Sequence, residues 1–558
     1  MPEKDQNNPW ISVRKRKRKP TIFILSGFLV SSMTFATFSC KPEPVSVPEG
    51  KEKWEVVIVG AGAGGLGAGA TLSRAGVKPL ILEQHDKPGG YMTNFERGDY
   101  RFEVSLHMID GLDPGGMTRE LFEKLGILDR VQPVKFDPLY RSVHPDIIID
   151  VPADIDEYLN ILKKRFPQEA EGITRLFQSF FDIGDDITGL SQLMDQHFLL
   201  RWPKYPLVPL LYWDFFKDRN ATIDEIVYRH ISDPKAVSVI LQLAGFMGTP
   251  PSRSPGVMTA VMMDSYHRHG VYHFIGGSQS VSNALAAVIR GNGGEIRLNT
   301  LVKKILIQDG RAVGVRTEDG QEIYADYIIS NANGYATYLE LVGEEHLKPE
   351  YVEYVKGLEP GLSATEVFLG LDLDLKKAGL GEIGEIFYSP TYDVEEAWKN
   401  IDAMDIEKMP MVIALMSNTD PTCAPPGKSV VIITTGGVYD WQNRWRIDEG
   451  YEAYRELKEE VADRMIAVAE KFIPGLRDAI EEIEVGTPLT MERYTLNYKG
   501  SIIGWAPTPE QTMLKRMKQK GPIDRLYLAG AWTFPCGGQS ACLNSGHNAA
   551  KMILGKIR

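Results

Sequence analysis

Apolar residues fall into two rhythms along this chain. Short, dense runs at 56–59, 79–82, 302–307, 312–316, 367–371, 430–434 and 526–530 carry β-branched or aliphatic side chains and predict buried strands. Longer stretches at 117–126, 154–165, 168–198, 280–289 and 450–472 repeat apolar positions every three or four residues, which predicts helices with one buried face. Residues 293–298, 322–326 and 327–332 add strands around the turn Asp319-Gly320. One stretch fits neither rhythm. Residues 198–216 read FLLRWPKYPLVPLLYWDFF, and three prolines exclude a continuous helix. Apolar stretches usually pack inside, so burial beneath an irregular loop is the expected state. A membrane-dipping lid at the mouth of a lipid pocket is the second reading.

Gly60, Gly62 and Gly65 follow the first strand as G-x-G-x-x-G, enclosing Ala63 and Gly64. The first glycine permits a tight turn, the second lets backbone approach a pyrophosphate, and the third lets helix and strand pack closely. The next strand ends in Glu83, 23 residues after Gly60, where an acid can accept from a ribose 2′-OH. Strand, turn, helix and acid together predict a dinucleotide site. The acid disfavours a 2′-phosphate, so FAD or NAD fits better than NADP.

Lys87-Pro88-Gly89-Gly90 comes next, then Gly98-Asp99-Tyr100-Arg101-Phe102-Glu103 and Ser105-Leu106-His107. In these residues the chain resembles the phytoene desaturase, carotenoid isomerase and retinol saturase group of FAD flavoproteins, within the flavin amine oxidase superfamily. Gly276-Gly277 before a helix, the 293–332 meander, TPLTMERYTLNYKGSIIGW at 487–505, and Leu528-Ala529-Gly530 followed by Cys536-Gly537-Gly538 extend the resemblance. Ser105 and Cys536 depart from it, each standing where the group has glycine. The resemblance implies FAD, held by Gly60, Gly62, Ala63, Gly64, Gly65, Glu83, Gly89, Gly90, Gly530, Gly537 and Gly538, with the Val302 backbone at the adenine edge. It implies Tyr494 and Trp505 as pocket walls, and Arg493 as a polar partner for a substrate end group or the flavin. Glu103, His107 and Tyr494 are the catalytic candidates. Glu103 and His107 fall nearest the flavin by motif position, and His107 is read as a proton source near neutral pH. Each residue reads equally as ordinary packing or hydrogen bonding.

The 558 residues give room for two or three domains. A net charge of −12 argues against a nucleic-acid partner. The four cysteines, Cys40, Cys423, Cys536 and Cys542, form no C-x-x-C, which excludes a thioredoxin-like pair and zinc-finger spacing. His267, His269 and His273 lack a companion ligand, so no metal site is expected. The basic run at 14–19, the uncharged stretch 21–39 and Cys40 have the order of a signal peptide, a lipoprotein signal or an uncleaved anchor. The lipoprotein and anchored forms give a membrane-associated protein, and a disordered tail of no consequence is the remaining reading. The basic end of either anchored form stays cytoplasmic and the enzyme lies outside, with the cytoplasmic membrane face as the alternative.

These readings predict an α/β protein. Segments 54–112, 275–335 and 496–558 form a Rossmann-like FAD domain of the glutathione-reductase type. Segments 113–274 and 336–495 form an inserted α+β substrate domain, after a leader at 1–40 and a linker at 41–53. The resemblance implies an FAD-dependent oxidoreductase acting on C=C bonds of an extended isoprenoid lipid, by desaturation, saturation or cis–trans isomerisation. An amine oxidase and a tethered lipid-binding protein that keeps FAD without turnover stand as alternatives. The electron acceptor or donor is left open.

Overall fold

The β-branched run at 56–59 forms the inner half of the strand Glu52–Val59, in which Val56, Val57 and Ile58 are wholly buried. The structure, a computed structural model, describes residues 45–105, 107–195, 202–439 and 443–557, so the expected leader lies outside the described residues. Glu52–Val59 pairs in parallel with Pro79–Leu82 on one side and Glu322–Ser330 on the other, with Val57 level with both Leu80 and Ile328. Glu295–Arg297 and Leu526–Leu528 extend this sheet in parallel. The meander strands Val302–Gln308 and Arg311–Thr317 complete it in antiparallel. The two runs expected at 322–326 and 327–332 fold as one nine-residue strand, since no turn residue separates Asp326 from Tyr327.

The helices Ala63–Arg74, Ser278–Gly291 and Gln539–Ile557 share one apolar core with this sheet. Where the first and last of them cross, glycine lets backbone touch backbone. A Cβ on Gly546 would stand 1.9 Å from the Gly64 carbonyl oxygen, and one on Gly67 would stand 2.5 Å from that of Leu543.

A second seven-stranded sheet runs in the order Ile480–Gly486, Ser363–Leu371, Ser429–Gly437, Met411–Ala414, Glu385–Tyr388, Tyr140–Val143, Ile148–Val151. Alternation along Ser363–Leu371 sends Val367 and Leu369 into a core with Ile413, Ile433 and the helix Tyr451–Ala469. Glu366 and Phe368 take the opposite face. A helical layer from Ile155–Arg165, Ala170–Asp195, Pro234–Leu241 and Gly256–Arg268 packs around Phe177, Phe180 and Ile240.

The prolines of the unusual stretch act as expected: the short turns Trp202–Leu207, Val208–Leu211 and Trp213–Asp218 replace a single helix. The expected burial holds for Phe215, which joins the helical core, and fails before it. Leu207, Leu210, Leu211 and Trp213 are exposed, Leu210 at 70 %. Such a succession of short turns has no one face to turn inward. Among the described residues, no helix is long and apolar enough to cross a membrane.

Candidate active site

Both sheets and the helical layer open onto one cavity of about 2440 Å³. Ordinary ligand pockets hold about 300–1,000 Å³, so this one has space for a dinucleotide and a long substrate together. Its dinucleotide end is built by the glycine turn. Gly60 has φ +89°, which a side chain rarely adopts, and its N–H donates to the Leu82 carbonyl. Gly62 offers no side-chain cap to the helix Ala63–Arg74, so first-turn N–H groups keep their capacity for an anion. A Cβ on Gly64 would meet the Gly530 nitrogen at 2.5 Å, which brings the first and last glycine turns together. Gly60, Gly62, Ala63, Gly64, Glu83, Gly89, Gly90, Val302, Gly530, Gly537 and Gly538 all line the cavity. Gly65 does not. It lies against the Gly60 carbonyl, where a Cβ would stand at 2.0 Å, and lets helix and strand approach.

Glu83 is buried and accepts from the Ala61 N–H at 2.6 Å and the His85 N–H at 3.0 Å. A carboxylate has further lone pairs, so it can still accept from a ribose hydroxyl. The residues present therefore fit FAD: an uncapped helix start at Ala63–Arg74, side-chain-free turns and an acid at the ribose position. Ser105, in the place of a glycine, donates its hydroxyl to the Tyr91 carbonyl at 3.0 Å and fixes the cavity wall.

The other sequence candidates separate. Both carboxylate oxygens of Glu103 are engaged by Ser278, one by its N–H at 2.8 Å and the other by its hydroxyl. That carboxylate anchors the start of the helix Ser278–Gly291, where negative charge is favoured, and does not line the large cavity. Trp505 is also no pocket wall. It is 0 % exposed, packed edge-on against Trp532 at 4.7 Å, and only Trp532 reaches the cavity. Tyr494 and Arg493 lie at the rim, with Tyr494 51 % exposed, its ring 6.2 Å from that of His85 and 5.5 Å from the Arg493 guanidinium. That exposure leaves Tyr494 outside the buried part of the cavity.

His107 faces the cavity and is buried. Its Nδ1 stands 3.7 Å from Oε1 of buried Glu385, and its Nε2 has no partner among the described residues. Burial pushes the imidazole down to about 3 and the Glu385 carboxyl well up. Burial favours the uncharged form of both groups, which weighs against His107 as the proton source near neutral pH expected from sequence. His273 donates its Nδ1–H to the His107 carbonyl, 3.1 Å away, and His267 stacks on Tyr158 in the helical core. Cys423, Cys536 and Cys542 are free thiols.

Sequence reading passed over Glu366. It is 3 % exposed, lines the cavity, and burial raises its carboxyl to about 8. The available signal was an acid inside an apolar strand, SATEVFLGL.

A parallel sheet, a glycine turn, an acid ending the second strand and two glycine-rich helix starts at one cavity define a dinucleotide-binding oxidoreductase. Residues 63–554 match the family described as flavin containing amine oxidoreductase, and the chain belongs to that family. It is an FAD-dependent oxidoreductase. Prolycopene isomerase from Daucus carota is 28% identical over 560 residues, covering 99% of this chain and 87% of that protein. All-trans-retinol 13,14-reductase from Rattus norvegicus is 27% identical over 530 residues, covering 88% and 84%. Putrescine oxidase bound to putrescine shares the fold with a TM-score of 0.59 at 14% identity, over 90% of this chain and 100% of that one.

Proposed function

We propose that this protein acts on C=C bonds of an extended isoprenoid polyene of the carotenoid or retinoid kind. Isomerisation, saturation and desaturation all belong to that reading. The observation that carries it is the continuity of the cavity: the glycine cradle opens directly into a space walled by Phe95, Phe246, Met258, Met262 and Phe368. Such walls hold an apolar chain by area and exclude water, without a charged anchor in the deep part. The isomerase and reductase relatives support the same substrate class. FAD, when bound, supplies the electron-pair chemistry. Gly62, Gly64 and the start of the helix Ala63–Arg74 would hold its pyrophosphate, and Glu83 its ribose. Gly530, Gly537 and Gly538 would border its flavin half. Neutral His107 offers the cavity one ring nitrogen without adding charge.

The polyene enters from a lipid surface in this reading. Exposed Leu210, Leu211 and Trp213 run directly into Phe215 and Phe216, which line the cavity. The basic and uncharged residues at 14–39 support tethering of the chain to a membrane, with the enzyme on the extracytoplasmic side.

Amines are the comparison substrates, since the family description includes them. The test takes the purified full-length protein, records its visible spectrum, reduces it anaerobically, and adds all-trans and cis polyenes or primary amines. Polyene conversion without flavin bleaching by amines is the expected result. Bleaching of oxidised flavin by amines, with no polyene conversion, would overturn the reading.

A further inference from the structure

Glu366 is a buried carboxyl with one weak hydroxyl contact. Its Oε1 is 3.4 Å from the Thr434 hydroxyl, a long contact, and its buried Oε2 has no partner among the described residues. No lysine or arginine pairs with it among those residues. Its register partners across the sheet are Thr434 and Gly486, so the glycine places no polar side chain beside it. The titratable groups that sense it are Glu103 and Tyr91. Tyr91, which follows Gly90 of the glycine cradle, lines the same cavity as Glu366.

An unpaired anion buried in such a wall is costly, and the group stays protonated instead. Other groups at the cavity hold their protons differently. Burial keeps His107 neutral and holds the Tyr91 phenol well above its usual range. Asp110 is also raised by burial, but the Ser265 hydroxyl already bonds to it. Glu366 has a proton, an open oxygen and an apolar space in front of it.

We propose that Glu366 exchanges a proton with the substrate, resting on the polyene reading above. Its O–H bond breaks while the π pair of one C=C forms a C–H bond, leaving a carboxylate and a cation spread along the conjugated chain. Rotation about the weakened bond follows. The carboxylate then takes a proton from the same carbon, and the double bond re-forms. Nothing is oxidised or reduced overall.

The experiment compares full-length wild type with Glu366→Gln and Glu366→Asp, each loaded with flavin. Polyene turnover in D2O is followed by mass spectrometry, and difference infrared spectra are taken across pH about 8. Wild type should show a carboxylic-acid C=O band that disappears as pH rises, and deuterium should enter the converted polyene. Glu366→Gln should keep its flavin spectrum, lose the band, and lose turnover and label by about 100-fold or more. Glu366→Asp should recover part of both. Wild-type turnover in Glu366→Gln, or absence of the band from wild type, would overturn the assignment. A wild type that shows the band but converts no polyene would instead sink the polyene reading, and the carbon chemistry assigned here with it.

Discussion

The surroundings of Glu366 change what an ordinary carboxyl does. Its ordinary value of 4.5 rises to about 8, first through burial and then through the Glu103 charge, with the Thr434 contact opposing both. In the window between those values the folded chain holds a proton that the unfolded chain has released. Protonation therefore favours the fold, and stability falls as pH rises from about 4.5 to about 8, by up to about 1.4 kcal/mol per pH unit from this group. Urea unfolding of wild type and Glu366→Gln across that window should show a steeper loss in wild type; equal slopes would remove Glu366 from the balance. Legibility at this scale was uneven. The dinucleotide glycines and Glu83 were readable because each answers a local demand of turn or chain end. Glu366 was not, because its chemistry depends on which face of the strand Ser363–Leu371 meets the cavity. Glu103 misled for the converse reason: it is close to His107 in sequence, but Ser278 takes its carboxylate.

Between elements, the crossing of Ala63–Arg74 and Gln539–Ile557 is the most exacting contact. At Gly546 a side chain meets backbone on Gly64 and Ala68, which cannot swing aside. Gly546→Val should part the two helices, pull Gly64 from Gly530, and release flavin. Absorbance of the purified variant reads this directly, and full flavin content would show that the contact tolerates separation. The elements themselves were largely legible, since the strand and helix periods of two and 3.6 follow from side-chain direction alone. Their partners were less so. Nothing local to Tyr140–Val143 says that it will lie beside Glu385–Tyr388, because that pairing is fixed by long-range packing.

Across the whole molecule, the cavity joins a cradle for a charged cofactor to an apolar chamber, and the exposed turns at 207–213 adjoin the latter. Sequence favoured burial for those turns because apolar stretches usually find a core, and here the helical layer closes without them. If a lipid surface covers them, vesicles carrying brominated acyl chains should quench Trp213 emission. Trp213→Phe should lose a clear share of that quenching, and an unchanged signal would leave the patch without a lipid contact.

The pairing of Gly64 with Gly530 also sets an order of events. The two halves of the cradle come from opposite ends of the chain, so a growing polypeptide carries the first glycine turn long before its counterpart exists. Cofactor capture then becomes a test of completion: a chain stopped short of its last helix has the fingerprint and is expected to keep no flavin.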